Sequence, residues 1–249
     1  MNCPIVITGP TASGKSNFCD KIAEYIGGIV VNCDSKQIYK EIPIITAQPD
    51  RSSGTKRSLY GYISVTENYS ANSWLEDLYQ ELNQIQKNGK TPIITGGSGL
   101  YISAMINGLS NIPKISDSTR YRVRKLQKDL GQSEFYQFAI KNDPIIHEKI
   151  HHNDSYRLAR AVEVMIETGK SIFDWRNSKK YPLVKSPSTE SEAISKEKQE
   201  RSYIIQMDQV YILLPDRELI YRNINQRFEQ MFQLGAVEEV ESIMKMNLD

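Results

Sequence analysis

Cysteine, histidine and long apolar runs are scarce in this sequence, and each scarcity excludes a class of protein. Three cysteines and three histidines occur among 249 residues. The cysteines are odd in number and form no C-x-x-C pair, which argues against a disulfide framework and against a zinc cluster. No apolar run reaches the roughly 18 residues of a membrane span, and no basic, apolar leader opens the chain. We therefore expect a cytoplasmic protein that is neither secreted nor embedded in a membrane.

The net charge is also close to zero. Lysine and arginine total 31 against 30 aspartates and glutamates, which leaves a formal charge of +1. A global field that attracts nucleic acid is therefore excluded, so any nucleic-acid partner must be bound by a local basic patch. Apolar residues make up 39% of the chain, enough to bury a full core. The composition predicts a soluble globular chain with one large domain, or one domain that carries an insertion.

What the sequence does contain is a phosphate-binding loop. The pattern G-x-x-x-x-G-K-S comes directly after an apolar strand predicted at 4–8. The backbone N–H groups of such a loop point inward, and the next helix presents its positive end to the same hollow, so the loop binds polyphosphate. In this pattern the lysine reaches the outer phosphates and the serine hydroxyl holds Mg²⁺. The eight residues of the loop are Gly9, Pro10, Thr11, Ala12, Ser13, Gly14, Lys15 and Ser16.

Strands and helices alternate along the first part of the chain. Further buried strands are predicted at 28–33 and 91–95, and an amphipathic helix begins at a predicted N-cap, Ser73. Between them, 40–70 has little periodicity and predicts a surface excursion over the site. Three strand–helix alternations predict a parallel α/β sheet. The first helix is expected to bury the apolar residues Phe18, Ile22 and Tyr25.

Asp34 stands directly after the second predicted strand. In open parallel sheets ligands bind beyond the carboxyl ends of the strands, so we expect its carboxylate in the same crevice as the phosphate loop. Asp34 with Gln37 three residues on also matches a helix capping box, and both roles stay open. Ser98 lies in a second glycine-rich turn at 96–101, which brings the backbone and this hydroxyl close to a ligand.

The pattern changes after residue 112. Residues 113–178 contain amphipathic helical stretches and no convincing strand, which predicts an all-helical insertion. Arg157 and Arg160 share one helix face, an arrangement that suits phosphates but that a solvated charged face explains equally well. The pattern H-E-x-x-H at 147–151 is typical of zinc proteases. We reject that interpretation, because zinc catalysis needs a third protein ligand and the chain offers no candidate better than the neighbouring His152 or Asp154. The phosphate loop is also a much more specific signal.

The remaining residues, 179–249, are predicted to return to the α/β core. A serine-rich, charged stretch at 185–202 predicts a mobile loop, and a fourth strand is predicted at 210–214. Asp216 then caps a helix on which arginines could close over a phosphate site, or could simply pair with nearby glutamates. The arginines are Arg217, Arg222 and Arg227, and the apolar residues of this helix are Ile220, Ile224, Phe228 and Met231.

With these pieces assembled, the chain resembles the tRNA dimethylallyltransferases, also called tRNA isopentenyltransferases. The resemblance implies a P-loop NTPase-like parallel sheet flanked by helices, with core parts at 1–112 and 179–249 and the all-helical, tRNA-contacting subdomain at 113–178. The matching segments, in family order, are Gly9 to Ser16, Asp34-Ser35-x-Gln37-x-Tyr39, Thr46-Ala47-x-Pro49, Tyr69-Ser70, Gly96-Gly97-Ser98-Gly99-Leu100-Tyr101, Asn153-Asp154-x-x-Arg157-Leu158-x-Arg160-Ala161-x-Glu163-Val164, Asp216-Arg217 and Gln226-Arg227-Phe228.

The resemblance implies transfer of a dimethylallyl group from dimethylallyl diphosphate to N6 of adenosine 37, in the anticodon stem-loop of tRNA. It assigns Asp34 as general base and assigns Thr11 and Arg227 to the leaving diphosphate, while the phosphate-loop pattern assigns Mg²⁺ to Ser16. The protein is expected to be a monomer. An amine nucleophile needs such a proton acceptor, and a prenyl carbon departs more easily when its diphosphate is neutralised. The positions it assigns to tRNA contact are Asp34, Ser35, Lys36, Gln37, Ser98, Arg120, Tyr156, Arg157, Leu158, Ala159 and Arg160.

The chain departs from the family pattern at several positions. Gln48 replaces a usual lysine, Tyr60-Gly61-Tyr62 stands where two histidines are common, and Asn223 occupies a frequent arginine position, with Arg222 beside it as a substitute. The chain also ends before a C-terminal helical segment that relatives use to grip tRNA, so we expect weaker tRNA binding. Two alternatives stay open: a P-loop kinase that acts on ATP, and an RNA-binding remnant without turnover.

Overall fold

The computed structural model describes residues 3–50, 54–176, 183–185 and 205–246. The chain forms two compact units, one made of Met1–Gly108 with Tyr181–Asp249 and the other of Leu109–Lys180. The predicted helical insertion, 113–178, falls within the second unit. Within the ranges described, no helix is both long enough and apolar enough to span a membrane.

The first unit is built on a parallel sheet. Its described strands are β1 (Ile5–Thr8), β2 (Ile29–Asn32), β3 (Arg57–Ser58), β4 (Pro92–Gly96), β5 (Val184–Lys185), β6 (Ile205–Gln206) and β7 (Val210–Ile212). Five of them form one parallel sheet with the order β3-β2-β4-β1-β7. This sheet confirms the predicted parallel α/β class, and four of its strands coincide with strands predicted from the sequence. A second sheet pairs the two short parallel strands β5 and β6.

Helices flank this sheet and make up most of the second unit. Those of the first unit are α1 (Lys15–Ile26), α2 (Ala71–Lys87), α3 (Gly99–Asn107), α8 (Arg217–Gln233) and α9 (Ala236–Met244). Those of the second unit are α4 (Asp117–Asn142), α5 (Ile145–Lys149), α6 (Ser155–Thr168) and α7 (Ile172–Arg176).

Helix α2 matches its predicted pattern, except at its start. Its four apolar residues at helical spacing are all buried in the main core, where the Trp74 ring stacks on Tyr101 with centroids 4.1 Å apart. The predicted N-cap, Ser73, is wrong. Ser70 caps the helix instead, because its hydroxyl accepts the N–H of Ser73 at 3.1 Å. The buried residues of α2 are Trp74, Leu78, Leu82 and Ile85.

The predicted buried face of α1 is wrong at two of its three residues, since only Ile22 is partly buried and packs against the core. Phe18 is 47% exposed and Tyr25 is 91% exposed, whereas the fully buried residues are Cys19 and Ala23. Helix α1 packs on β2 and β4. Small side chains on the contact face let a helix approach a sheet closely, and the larger rings are then left on the solvent side.

The strand predicted at 210–214 joins the sheet of the first unit and the predicted helix follows it, but both are less buried than elements of a core are expected to be. Strand β7 lies at the edge of the sheet, and its Tyr211 and Ile212 are 55% and 63% exposed. Helix α8 buries none of its residues, and Phe228 on it is 60% exposed. Asp216 precedes α8, but its side chain makes no capping hydrogen bond. Most of the predicted mobile loop, from residue 186 onward, lies outside the described residues.

The second unit has its own apolar core. It is formed where α4 packs against α6, with Val123 and Phe135 from α4 and Leu158 and Val162 from α6 fully buried. Helix α4 is broken at Gly131, whose φ of 73° lies in the left-handed region that favours glycine. The helical content predicted for this part of the chain is confirmed.

Candidate active site

The phosphate loop connects β1 to α1, and three of its residues have backbone φ angles that are uncommon in proteins. Gly9 (φ 153°), Ala12 (φ 61°) and Gly14 (φ 85°) all have positive φ angles. A Cβ on Gly9 would lie only 2.3 Å from the carbonyl oxygen of Leu213, so only glycine fits there. This backbone turns the chain into the N-terminus of α1, where unpaired N–H groups favour an anion.

Lys15 is the first residue of α1, and its amine lies inside the curve of the loop. Its Nζ donates to the carbonyl oxygens of Gly9 at 2.8 Å and Pro10 at 2.6 Å. Burial lowers the pKa of the Lys15 amine below its usual value, Asp34 opposes this shift, and the Arg227 guanidinium adds to it. Because an anion favours the charged amine, a bound phosphate and a charged Lys15 stabilise each other.

A cavity of about 420 Å³ opens over the loop. It brings together, as predicted, most of the phosphate loop, Asp34, Gln37 and Arg227. Gly9, Pro10 and Ser98 are not among the residues that line it. The lining residues are Thr11, Ala12, Ser13, Gly14, Lys15, Ser16, Asn17, Asp34, Gln37, Thr46, Ala47, Tyr60, Thr95, Gly96, Gly97, Asn223, Gln226, Arg227 and Gln230.

Asp34 presents one carboxylate oxygen to this cavity. Its Oδ1 accepts the N–H of Lys36 at 2.9 Å, which closes a turn, and no helix begins there. The capping-box interpretation is therefore wrong, because the same residue pattern forms an Asx turn here. Within the described part of the chain, no group donates to Oδ2. A methyl group on Gly97 would lie 4.0 Å from this oxygen and 3.9 Å from Lys15 Nζ, so both charged groups face the same space.

Asn32 is a site residue that the sequence reasoning missed. It is fully buried at the end of β2, and its Oδ1 accepts the N–H of Asp34 at 2.8 Å. Its Nδ2 donates to the carbonyl oxygens of Asp34 at 2.9 Å and Leu59 at 3.0 Å. Asn32 thereby fixes the backbone that carries the carboxylate. The available signal was an amide at the end of an otherwise apolar strand, where a buried polar group requires partners.

Ser35 lies in the turn at 34–36, and Ser98 lies in the glycine-rich turn at 96–101. Hydrogen bonds between these two serines join the two turns beside the cavity. The Ser98 hydroxyl accepts the N–H of Ser35 at 2.7 Å and donates to the Ser35 hydroxyl at 3.0 Å. Gly96 allows this approach, because a Cβ on it would lie 2.0 Å from the carbonyl oxygen of Cys33. Lys36 is exposed. Asp34, Ser35, Gln37 and Ser98 therefore lie together at the carboxyl ends of β2 and β4.

Helix α8 contributes one arginine to the cavity, not three. Arg227 lines it, whereas Arg217 and Arg222 are exposed and are not among the lining residues. Arg217 lies over the Tyr221 ring, 5.6 Å from its centroid. Asn223 also lines the cavity, and its Nδ2 donates to the carbonyl oxygen of Ala12 at 3.0 Å, which attaches α8 to the phosphate loop. Arg222 does not take that place.

Two other departures from the family pattern also lie beside the site. The Gln48 amide donates to the carbonyl oxygen of Tyr39 at 2.6 Å. Gln48 lines a second cavity of about 760 Å³, which shares Ala47, Arg227 and Gln230 with the first. Burial raises the pKa of the Tyr60 hydroxyl well above its usual value, and this residue lines the first cavity.

The remaining predicted tRNA contacts lie in the second unit. Three arginines each form an ion pair with a carboxylate three residues away in the sequence: Arg120 with Asp117, Arg157 with Asp154 and Arg160 with Glu163. Tyr156 is 92% exposed, Ala159 is half-buried, and Leu158 is fully buried in the core of this unit. The Leu158 side chain is therefore not available to RNA.

The histidine pattern at 147–151 does not form a metal site. His147 Nδ1 lies 3.2 Å from the hydroxyl of Tyr136, and the His151 and His152 rings lie side by side with centroids 4.3 Å apart. Across the residues that the structure describes, no three side chains of histidine, cysteine, aspartate or glutamate are arranged to hold a metal ion.

Replacing Lys15 with methionine is expected to weaken binding of inorganic pyrophosphate by roughly tenfold to a hundredfold, since one charge-assisted contact is lost. Isothermal titration calorimetry measures this affinity. The matched control is Lys21→Met, which removes an exposed amine from the same helix. Equal affinities for wild type and Lys15→Met would show that the anion does not bind in the loop.

Comparison with known proteins places this site in a family context. The family model described as IPP transferase matches residues 37–249. A tRNA dimethylallyltransferase of Wolbachia sp. subsp. Drosophila simulans (strain wRi) is 48% identical over 245 residues, which cover 98% of this chain and 76% of that protein. A tRNA dimethylallyltransferase of Ehrlichia canis (strain Jake) is 47% identical and covers all of this chain and 76% of its own length. These two alignments extend over the phosphate loop and Asp34, which precede the family-model match.

Solved structures have the same fold. A eukaryotic dimethylallyltransferase acting on tRNA superposes with a TM-score of 0.71 at 23% identity, covering 99% of this chain and 56% of its own. The full-length tRNA isopentenylpyrophosphate transferase of Bacillus halodurans has a TM-score of 0.57 at 23% identity, covering 100% of this chain and 72% of its own.

Proposed function

The chain belongs to the IPP transferase family, and on that premise we propose that it transfers a dimethylallyl group from dimethylallyl diphosphate to N6 of adenosine 37 in tRNA. One observation carries the proposal: the phosphate loop, the Asp34 carboxylate and the Arg227 guanidinium line a single cavity. Two cations facing one cavity repel each other, and an anion between them relieves that repulsion. A single carboxylate beside them supplies the proton acceptor that an amine nucleophile needs.

The proposed step exchanges one carbon bond and moves one proton. N6 of the adenine attacks the allylic carbon of the donor, the carbon–oxygen bond to diphosphate breaks, and the electron pair leaves with the diphosphate. Asp34 Oδ2 accepts the proton that N6 loses. Lys15, Thr11 and Arg227 bind the departing oxygens, and their positive charge and N–H donors stabilise the charge that develops there.

Mg²⁺ is part of the proposal because of the donors at the mouth of the loop. The Ser16 hydroxyl is exposed and lines the cavity. Mg²⁺ prefers oxygen ligands and is commonly held by one or two protein oxygens together with substrate phosphates. One hydroxyl beside a diphosphate site fits this pattern, and Ser16 would hold the ion. When bound, the ion neutralises charge on the leaving diphosphate.

The tRNA partner is proposed to contact both units, each through its own residues. In the first unit the candidates are Asp34, Ser35, Lys36, Gln37 and Ser98, around the acidic turn. In the second unit they are Arg120, Tyr156, Arg157, Ala159 and Arg160.

The three cysteines form no disulfide among themselves, which agrees with a reducing, cytoplasmic setting for the reaction.

Release of diphosphate tests the proposed reaction against its alternatives. Purified protein is incubated with unmodified tRNA and either dimethylallyl diphosphate or ATP, and the released anion is identified. We expect pyrophosphate to appear only with tRNA and dimethylallyl diphosphate together. Phosphoryl transfer from ATP would indicate a kinase, and tRNA binding without any release would indicate an RNA-binding protein.

Replacing Arg157 with glutamine is expected to weaken tRNA binding several-fold and to make its salt dependence shallower by about one unit of log–log slope, because one phosphate contact is lost. The Arg157 side chain is 75% exposed, so its loss leaves the core intact. Fluorescence titration at several salt concentrations measures both quantities. Lys141→Gln, the same charge change at another exposed position of the second unit, should alter neither. Matching changes in the two variants would contradict the assignment.

A further inference from the structure

A carboxylate far along the chain holds a turn that forms one wall of the site. Glu239, in the first turn of α9, accepts the N–H of Ile44 on Oε1 and the N–H of Ile45 on Oε2, each at 2.8 Å. Both carboxylate oxygens are therefore used on two consecutive amides. Hydrogen bonds to an ionised acceptor are about twice as strong as neutral ones.

A second residue also holds this segment, which is residues 42–48 and is here called the 42–48 turn. The Gln37 amide donates to the carbonyl oxygens of Thr46 at 3.0 Å and Ala47 at 2.8 Å. Ala47 has a φ of 51°, a conformation that costs a non-glycine residue energy and needs such support. Thr46 and Ala47 line the same cavity as Asp34, so a displaced turn changes the shape of that cavity.

The helices on the far side of the turn lack apolar anchoring. Helix α8 buries none of its residues, and Ala236 is the one buried residue of α9. Two polar contacts fasten this helix pair to the site: Asn223 to Ala12 at one end and Glu239 to the 42–48 turn at the other. Arg227 lies on the chain between the two contacts. It also lines the larger cavity, as does Ile44.

We propose that Glu239 is a positioning residue, which fixes the 42–48 turn and the α8–α9 pair so that Arg227 and the Thr46–Ala47 wall enclose the diphosphate. This inference rests on the proposed function, since it concerns the donor site. Glu239 does not touch the reacting atoms. It acts through the backbone of the turn and through the placement of Arg227.

The test compares Glu239→Gln with Glu238→Gln. Glutamine preserves the size of Glu239 but keeps one acceptor oxygen and turns an NH₂ group toward the second amide, so one hydrogen bond is lost. Glu238 is exposed and lies in the same helical turn, so its substitution removes the same charge from the start of α9. Thermal unfolding of both variants verifies that they fold.

Three measurements are made on wild type and both variants. Hydrogen exchange is expected to speed up roughly tenfold or more in Glu239→Gln at whichever of the Ile44 and Ile45 amides loses its acceptor. Pyrophosphate affinity is expected to fall about three- to tenfold, and the single-turnover transfer rate at saturating donor about tenfold, while tRNA affinity is unchanged. Glu238→Gln should match wild type throughout.

The outcomes separate this inference from the proposed function. Unchanged amide exchange in Glu239→Gln would overturn the contact. Faster exchange with wild-type transfer and wild-type pyrophosphate affinity would overturn the positioning role and leave the proposed function standing. If wild type itself transfers nothing, the proposed function fails. In that case weaker pyrophosphate binding by Glu239→Gln alone still supports the positioning of the anion site, and equal binding overturns it.

Discussion

Replacing Asp34 with asparagine is expected to lower the single-turnover transfer rate by roughly two to four orders of magnitude, the usual contribution of a general base. Asparagine keeps an oxygen that can accept the N–H of Lys36, so the turn at 34–36 survives. Its NH₂ group replaces the oxygen that would take the proton. The loss should therefore fall on chemistry, with tRNA affinity nearly unchanged.

Rapid-quench transfer at saturating donor and tRNA measures this rate, and a binding titration measures the affinity. Glu24→Gln, which removes an exposed carboxylate from α1 in the same unit, is the control and should leave both at wild-type values. A wild-type rate for Asp34→Asn would reduce Asp34 to a residue that shapes its turn.

Replacing Arg227 with alanine is expected to lower the same rate by roughly a hundredfold to a thousandfold, as happens when one preorganised donor to a developing negative charge is removed. The guanidinium lies in the cavity near the Lys15 amine, whose pKa it lowers. In the proposed reaction its positive charge would therefore lie close to the departing diphosphate, where negative charge develops. Binding of tRNA should change much less than transfer.

Arg222→Ala is the matched control for this variant. Arg222 is exposed, lies on the same helix and does not line the cavity. Transfer rates and tRNA affinities of the two variants are measured side by side. Equal losses of rate and of tRNA affinity in Arg227→Ala would mean that this arginine binds RNA and does not stabilise the leaving group. Equal losses of rate in both variants would mean that the charge of α8 matters and the position of Arg227 does not.

The phosphate loop and the main strands could be predicted from the sequence because their signals are local. A glycine-hinged loop between an apolar run and a helix has few alternative structures, and residues 9–16 adopt it. The buried stripe of α2 was equally clear, since Trp74, Leu78 and Leu82 repeat at helical spacing. Asp34 was placed correctly at the crevice because it comes directly after a strand of a parallel sheet.

Other features depend on packing that local patterns do not encode. Phe18 and Tyr25 are larger than Ala23, yet the tight contact with the sheet selects the smaller residue. Strand β3 is two residues long and has no periodicity to detect. The pattern of Asp34 and Gln37 is shared by a helix cap and by an Asx turn, and the backbone after Gln37, which forms no helix, decides between them.

The contact of Glu239 with the 42–48 turn shows the same limit at long range. It joins residues 195 positions apart, and nothing in either segment indicates the other. In a surface helix a glutamate is ordinarily solvated. Only the folded chain shows that this one accepts two backbone amides beside the cavity of the proposed donor site, while its neighbour Glu238 remains exposed.

The most direct measurement of the central claim is to locate the transferred group. Purified protein is incubated with radiolabelled dimethylallyl diphosphate and unmodified tRNA, and the tRNA is digested to nucleosides and separated. A parallel reaction uses the same tRNA with guanosine at position 37. The account predicts label in a single N6-modified adenosine from the first tRNA and none from the second. Label elsewhere in the tRNA, or equal label in both, would contradict it.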